Sequence, residues 1–156
     1  MSHSLDSLFA QFHHAAQAAQ LQQDKWLIID PVYEHMELLQ AQPLEALLPR
    51  ILALVEAWPE LDYGGPGPFG SLIEEHPMAS YTPALAASLL RQPSTQVIGW
   101  LDRTTRADAE MLARDPNPVD PAQLSAVLEK VLQHSGASAD CKAFAQICLN
   151  DLRTCL

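Results

Sequence analysis

The spacing of the prolines constrains this chain more than any other feature of its sequence. Prolines divide the 156 residues into segments of about one to four helical turns, at positions 31, 43, 59, 77, 83, 93, 116 and 121. Most segments repeat apolar residues at steps of three and four, which is the period of an amphipathic helix. Only the apolar run from Trp26 to Ile29 is ambiguous between helix and strand, and one such run cannot make a sheet. The sequence therefore predicts an all-α protein.

Two segments have the clearest helical faces. The first runs from Leu44 to Trp58, and the second begins with Asp120 as N-cap and Pro121 as first helical residue and continues to Leu132. Further helices are predicted at about 4–23, 31–41, 68–76, 83–91, 95–104, 106–114 and 138–154. We expect about eight short helices in a single domain that spans residues 1–156, a length that suits one hydrophobic core.

A weak internal repeat suggests how the helices are arranged. The segment Leu38–Pro43 resembles Leu89–Pro93 at an offset of about 50 residues, and Leu112–Pro116 is a weaker third copy. Each copy ends in a proline and precedes another helix. This pattern predicts either a short stack of helix pairs like HEAT repeats or an irregular bundle, and the sequence leaves both alternatives open.

The stretch DYGGPGPFG, residues 62–70, contains four of the six glycines of the chain. A phosphate-binding loop would need free backbone N–H groups and usually a lysine. Here Pro66 and Pro68 remove donors, and the nearest basic residues along the chain are Arg50 and Arg91. We interpret the stretch as a joint between helices, with Gly64 and Gly67 at positive φ, and we expect neither ATP nor GTP to bind there.

The acidic residues are concentrated in the first half of the chain. Residues 1–78 contain eleven acidic and two basic side chains, whereas residues 79–156 contain eight acidic and seven basic ones. With nine Lys and Arg against nineteen Asp and Glu, the chain is unsuited to neutralising nucleic-acid phosphates. The surplus either favours a basic protein partner or serves only solubility.

No motif in the sequence indicates catalysis or metal binding. The six histidines form no metal-ligand spacing, and the serines lie outside any nucleophile-elbow motif. The three cysteines share a helical stripe with Phe144 and Leu152, which predicts a buried seam. They are Cys141, Cys148 and Cys155. We predict no catalytic residue, no metal ligand and no cofactor, and we do not expect an enzyme.

Several features predict a cytoplasmic protein. No window approaches the length of a membrane span, and the N-terminal residues lack the pattern of a signal peptide. The odd number of cysteines, three, also fits a reducing compartment. We therefore expect no membrane partner.

The middle third of the chain resembles small all-helical immunity proteins of bacterial polymorphic-toxin systems, of the contact-dependent, Rhs or type VI secretion type. The resemblance covers about residues 60–106. It rests on the Gly-Pro-Gly-Pro loop, Tyr81, the segment Ser88–Pro93 and the helix segment Ile98–Arg103. It implies a cytoplasmic protein that binds and blocks one cognate toxin domain. A helical-repeat adaptor or secretion chaperone is the alternative, and a third class is an enzyme whose site assembles only in three dimensions.

The residues expected to contact the partner flank the joint or lie on the helix that contains Trp100. They are Glu60, Asp62, Tyr63, Glu74, Glu75, Asp102 and Arg103. The four glutamate and aspartate side chains around the joint are expected to be exposed and to attract a basic toxin. Trp100 itself shares a helical face with Val97, which favours the core. The sequence does not indicate an oligomeric state.

Overall fold

The computed structural model describes residues 2–115 and 119–155 and consists of α-helices joined by short turns. Within these residues there are ten α-helices, eight of them at least seven residues long, and no strand. The helices are α1 (Ser2–Gln22), α2 (Trp26–Glu34), α3 (Met36–Gln40), α4 (Leu44–Ala57), α5 (Gly67–Glu74), α6 (Thr82–Arg91), α7 (Thr95–Arg103), α8 (Ala109–Arg114), α9 (Pro121–Gln133) and α10 (Ala139–Cys155). The all-α prediction is confirmed. The prolines at 116 and 118 lie outside the described residues, as does the Cys155 side chain.

Polar side chains cap several of the helices, α10 among them through Ser138, by accepting hydrogen bonds from free backbone N–H groups. Ser94 accepts from the N–H of Val97 at the start of α7, and Asp120 accepts from Ala122 at the start of α9. Asp108 does the same for α8. These groups have no partner within the helix, so an N-cap side chain stabilises each helix by about 1 kcal/mol.

The helices pack as pairs. The pair α6–α7 contacts the pair α9–α10 through both of its members, because α6 lies against α9 and α7 against α10. At the other end, α1 lies against α4 and α2 against α5, and α4 also contacts α6. These are the contacts expected when helix pairs stack side by side and each pair touches its neighbours.

The core combines the predicted apolar stripes with an aromatic group. Leu48, Ile51 and Leu128 are fully or nearly fully buried. The rings of Phe9, Phe12 and Phe69 lie 5.2–6.3 Å apart between centroids. Such edge and offset contacts add to the stabilisation that burial itself provides.

The boundary of the second helix differs from the prediction. A helix was predicted over 31–41, but α2 begins at Trp26 and contains Pro31 in its interior, and the chain turns at His35 before α3. An interior proline removes one helical hydrogen bond, which is why sequence reasoning placed the start at Pro31. Burial of Ile28, Ile29 and Val32 against the core outweighs that loss.

The Gly-Pro stretch is a joint, as predicted. Gly64 has φ 99° and Gly67 has φ 74°, in the left-handed region that favours glycine. At Gly64 an added Cβ would also lie 2.7 Å from the Cα of Gly67, so the turn has no room for a side chain there. The joint leads directly into α5.

None of the helices in residues 2–115 and 119–155 combines the length and the apolar character that crossing a bilayer requires.

Candidate functional site

A groove of about 620 Å³ lies between the joint, α7 and the first turns of α10. We call it the acidic groove, because four carboxylate side chains and one guanidinium line it: Glu60, Asp62, Asp102, Asp140 and Arg103. The volume is in the range of sites that take a ligand or a partner's side chains. Four of the seven residues predicted to contact a partner, Glu60, Asp62, Asp102 and Arg103, meet here although they are distant in sequence.

The Gln96 side chain forms hydrogen bonds that hold the backbone of the joint, one wall of the groove, against α7. Its side-chain oxygen accepts a 2.8 Å hydrogen bond from the backbone N–H of Tyr63, and its amide nitrogen donates a 2.6 Å bond to the carbonyl of Gly64. One turn along α7, Trp100 Nε1 donates to the Pro66 carbonyl over 2.9 Å. These three hydrogen bonds hold the backbone from Tyr63 to Pro66 against α7. We call the segment immediately before it, Glu60–Asp62, the ridge.

The carboxylates of the groove differ in how they are neutralised. Asp62 pairs with Lys25 at 3.2 Å, and Asp102 lies 3.6 Å from Arg106. Within the residues described, Glu60 and Asp140 are exposed and form no ion pair with a basic side chain. The groove thus carries negative charge that the chain itself does not neutralise.

Arg103 contributes little positive charge to the groove because Glu74 holds it. Its Nε donates a 2.6 Å bond to Glu74 Oε2, and its Nη2 donates a 2.9 Å bond to Oε1. Bidentate pairing of this kind is strong and directional. The pKa of the guanidinium is raised chiefly by these side-chain hydrogen bonds. Arg103 therefore lines the groove with its charge paired to Glu74, which is not itself a lining residue.

Asp102 is the most buried carboxylate of the groove, with a side chain only 14% exposed. Burial raises the pKa of its carboxyl above the ordinary value of 3.8; Arg106 and a hydrogen bond with Cys148 oppose this shift, and Asp151 adds to it. The folded protein therefore binds this proton more tightly than the unfolded chain. As the pH rises from 3.8 through the raised pKa, the contribution of Asp102 to stability falls.

The variant Asp102→Asn is expected to be more stable than the parent at neutral pH, because it removes a charge that burial disfavours. The difference should shrink below the ordinary carboxyl pKa of 3.8, where the parent is protonated as well. Urea unfolding of both proteins across this pH range measures it. Asp151→Asn is the matched control, since it removes an exposed carboxylate from the same Arg106. A parent more stable than Asp102→Asn at neutral pH would contradict the assignment.

Three of the predicted contact residues do not line the groove. The Tyr63 side chain is 1% exposed and its hydroxyl donates to the Trp58 carbonyl, so it belongs to the core. The expectation that all four carboxylates around the joint are exposed is wrong for Glu74, whose side chain is 13% exposed against Arg103. Glu75 is exposed but accepts a hydrogen bond from Gln40 of α3, away from the groove.

Sequence reasoning did not select the other residues of the groove, of which Gln96, Asp140 and Phe144 matter most to its structure and charge. Gln96 lies one turn before Trp100, on the buried face of α7. A polar side chain on a buried face needs hydrogen-bond partners, and this was the signal in the sequence for its role. Asp140 and Phe144 are one turn apart on α10 and share a face. The sequence indicated that these two side chains share a face of α10, but not which part of the protein that face would contact.

The cysteine seam is confirmed as buried for Cys141, Cys148 and Leu152, whereas Phe144 of the same stripe is half-buried and lines the acidic groove. Cys141 and Cys148 are buried free thiols, and burial is the largest cause that raises their pKa values, to about 11 and about 12. Such thiols stay protonated at neutral pH and are poor nucleophiles. In residues 2–115 and 119–155, no three His, Cys, Asp or Glu side chains are grouped closely enough to hold a metal ion.

Comparison of the chain with protein-family models, with curated proteins and with solved structures finds no match. The resemblance to immunity proteins therefore stays an expectation, and the function has to be argued from the groove itself.

Proposed function

We propose that this chain is an immunity protein that binds a cognate basic toxin domain in the cytoplasm and blocks it through the acidic groove. One observation carries the proposal: carboxylates from the ridge, α7 and α10 converge on one groove, and two of them, Glu60 and Asp140, have no ion-pair partner within the described residues. A basic surface docked on the groove would meet these unpaired carboxylates, so complementary charge would favour encounter and binding.

The rigidity of the groove supports binding to a protein partner. Its wall is held by Gln96 and Trp100, and the Arg103 side chain that lines it is fixed by its bonds to Glu74. A surface that does not have to be ordered on binding avoids part of the entropy loss of association. The half-buried Phe144 adds apolar area beside the carboxylates, as the central part of many interfaces does. The proposal includes neither a catalytic step nor a cofactor, and no nucleic acid partner.

The double reversal Glu60→Lys with Asp140→Lys is expected to slow association with the toxin by roughly tenfold or more and to weaken protection of cells. Both side chains are exposed and unpaired within the described residues, so the free energy of unfolding should change by no more than about 1 kcal/mol. The measurement is the association rate, at several salt concentrations, of the purified toxin domain encoded by the neighbouring gene. Cell survival on co-expression is the second readout.

The matched control is Glu34→Lys with Glu45→Lys, because within the described residues these two carboxylates also form no ion pair, and Glu45 lies in the first turn of α4 as Asp140 does in α10. It changes the net charge equally at exposed positions that do not line the acidic groove. Asp62 is left intact in both variants, because it also holds Lys25 and the backbone of Gly64. If both double variants protect cells equally and associate at rates independent of salt, the groove is not the toxin site.

The alternative function is that of a helical-repeat adaptor or a secretion chaperone. The observation that favours it is the stacking of helix pairs, which is typical of such binding scaffolds. The co-expression experiment separates the two functions. An immunity protein rescues cells from the product of the neighbouring gene, whereas an adaptor or chaperone leaves the toxicity of its partner unchanged.

A further inference from the structure

A second cavity, of about 550 Å³, lies across the ridge from the acidic groove. The end of α1, the turn before α2 and the ridge itself line it, and we call it the Trp26 cavity. Its charged side chains are Asp24, Lys25, Glu60 and Asp62. Glu60 and Asp62 border both cavities, so a partner that docks on the ridge would reach both of them.

The Trp26 cavity already holds a cation that belongs to the chain. Lys25 Nζ lies 3.2 Å from Asp62 Oδ2 and 5.4 Å from the centroid of the Trp26 ring. A carboxylate and an aromatic face are the two groups that bind organic cations best in proteins. The cavity is therefore built to receive a positive charge.

Lys25 is held weakly enough to be exchanged. The Asp62 side chain is 60% exposed and Trp26 is 54% exposed, so both contacts are in water. Exposed ion pairs of this kind stabilise by about 0–1 kcal/mol. The ammonium can therefore move into solvent when another cation enters.

A guanidinium suits this cavity better than the ammonium does. It is planar, stacks on an indole and donates two parallel hydrogen bonds to a carboxylate. The Asp62 side chain is oriented for this, because Oδ1 accepts a 2.8 Å bond from the N–H of Gly64 and Oδ2 faces Lys25. Once Lys25 has moved, the carboxylates of Asp24, Glu60 and Asp62 surround the cavity without a cation of the chain.

We propose that the Trp26 cavity takes an arginine side chain of the partner, which displaces Lys25 from its place between Trp26 and Asp62. Exposed tryptophan is a frequent centre of binding energy in protein interfaces, and here its ring is flanked by negative charge. This inference rests on the proposed function for the identity of the partner, but not for the chemistry that the cavity recognises.

The experiment uses a fluorescein-labelled hexa-arginine peptide, with hexa-lysine as its counterpart, and measures anisotropy at low ionic strength. The parent should bind hexa-arginine more tightly than hexa-lysine. Trp26→Ala should weaken hexa-arginine binding roughly two- to fivefold and remove the preference over lysine. Because the Trp26 side chain is largely exposed, the variant is expected to fold, which thermal unfolding checks.

A second variant tests displacement. Lys25→Ala should strengthen hexa-arginine binding several-fold, because the cavity is then empty of its own cation. Lys130→Ala removes the same charge from an exposed position on α9 and should leave the affinity within about twofold. If Trp26→Ala binds the peptide as the parent does, or if the two lysine variants strengthen binding equally, the peptide responds only to net charge and the proposal is overturned.

The two proposals can fail separately. Toxin binding that depends on Glu60 and Asp140 but is unchanged in Trp26→Ala overturns the arginine cavity and leaves the immunity function in place. Peptide binding as expected, together with a neighbouring gene product from which the protein gives no protection, overturns the immunity function and leaves the cavity as an arginine site.

Discussion

Replacing Trp100 with alanine is expected to lower the free energy of unfolding by about 3–5 kcal/mol, the range for large aromatic side chains removed from a core. Trp100 is 2% exposed, and its Nε1 donates a hydrogen bond to the Pro66 carbonyl. The variant would leave a cavity between α7 and the joint and would leave that carbonyl without its indole donor. Denaturant unfolding, followed by circular dichroism, measures the change.

Two glycine variants are controls for the Trp100 prediction. At Gly70 an added Cβ would lie 2.7 Å from both Trp100 Nε1 and Pro66 Cβ, so Gly70→Ala should destabilise by about 1–3 kcal/mol. At Gly99 the nearest atom is Phe144 Cε2 at 3.9 Å, so Gly99→Ala should stabilise α7 by up to about 1 kcal/mol. A loss below about 1 kcal/mol for Trp100→Ala would show that the indole is not a core side chain.

Replacing Gln96 with leucine is expected to destabilise the protein by roughly 1–3 kcal/mol for each backbone group that it leaves without a partner. These groups are the buried N–H of Tyr63 and the carbonyl of Gly64. Leucine is an apolar side chain of similar size, so the variant leaves little cavity and lost hydrogen bonding dominates the effect. Without this anchor the ridge should also loosen, and toxin binding through the acidic groove should weaken.

Gln92→Leu is the matched control, because Gln92 also donates two hydrogen bonds to carbonyls, one to the distant Gly136 at the surface and one to the adjacent Pro93, from a side chain that is only half-buried. Water can replace these bonds, so we expect a loss below about 1 kcal/mol. Hydrogen exchange of the Tyr63 amide is a second measurement, since it should become faster only in Gln96→Leu. Equal stability of the two variants, with unchanged protection of that amide, would mean that Gln96 does not hold the joint.

The joint and α2 show how far local sequence rules predict this fold. Gly64 and Gly67 were assigned positive φ from their neighbours alone, and both have it. The start of α2 was placed at Pro31 for an equally local reason, and that was wrong because Ile28, Ile29 and Val32 gain more by packing in a helix than the proline loses. Local rules therefore predict an element well until burial opposes them.

The acidic groove was likewise predictable only in part. Asp102 and Arg103 could be selected from the sequence as polar residues on the helix that contains Trp100, and Glu60 and Asp62 as acids beside a joint. Nothing local indicated that Arg103 binds Glu74 across 29 positions of the chain, or that Gln96 binds the backbone 32 and 33 positions away. For the same reason Tyr63 was expected at the surface and lies in the core.

The sequence by itself determined the helical class, helix boundaries at several prolines but not at Pro31, the glycine geometry of the joint and the charge of the first half. Each of these follows from dihedral preferences, apolar spacing or composition, which act within a few residues or need only a count. Only the tertiary structure decided which carboxylates converge, which are neutralised and which cation lies over Trp26. Those outcomes depend on the faces with which α5, α7 and α10 and the turn before α2 meet, and such contacts join residues that are far apart along the chain.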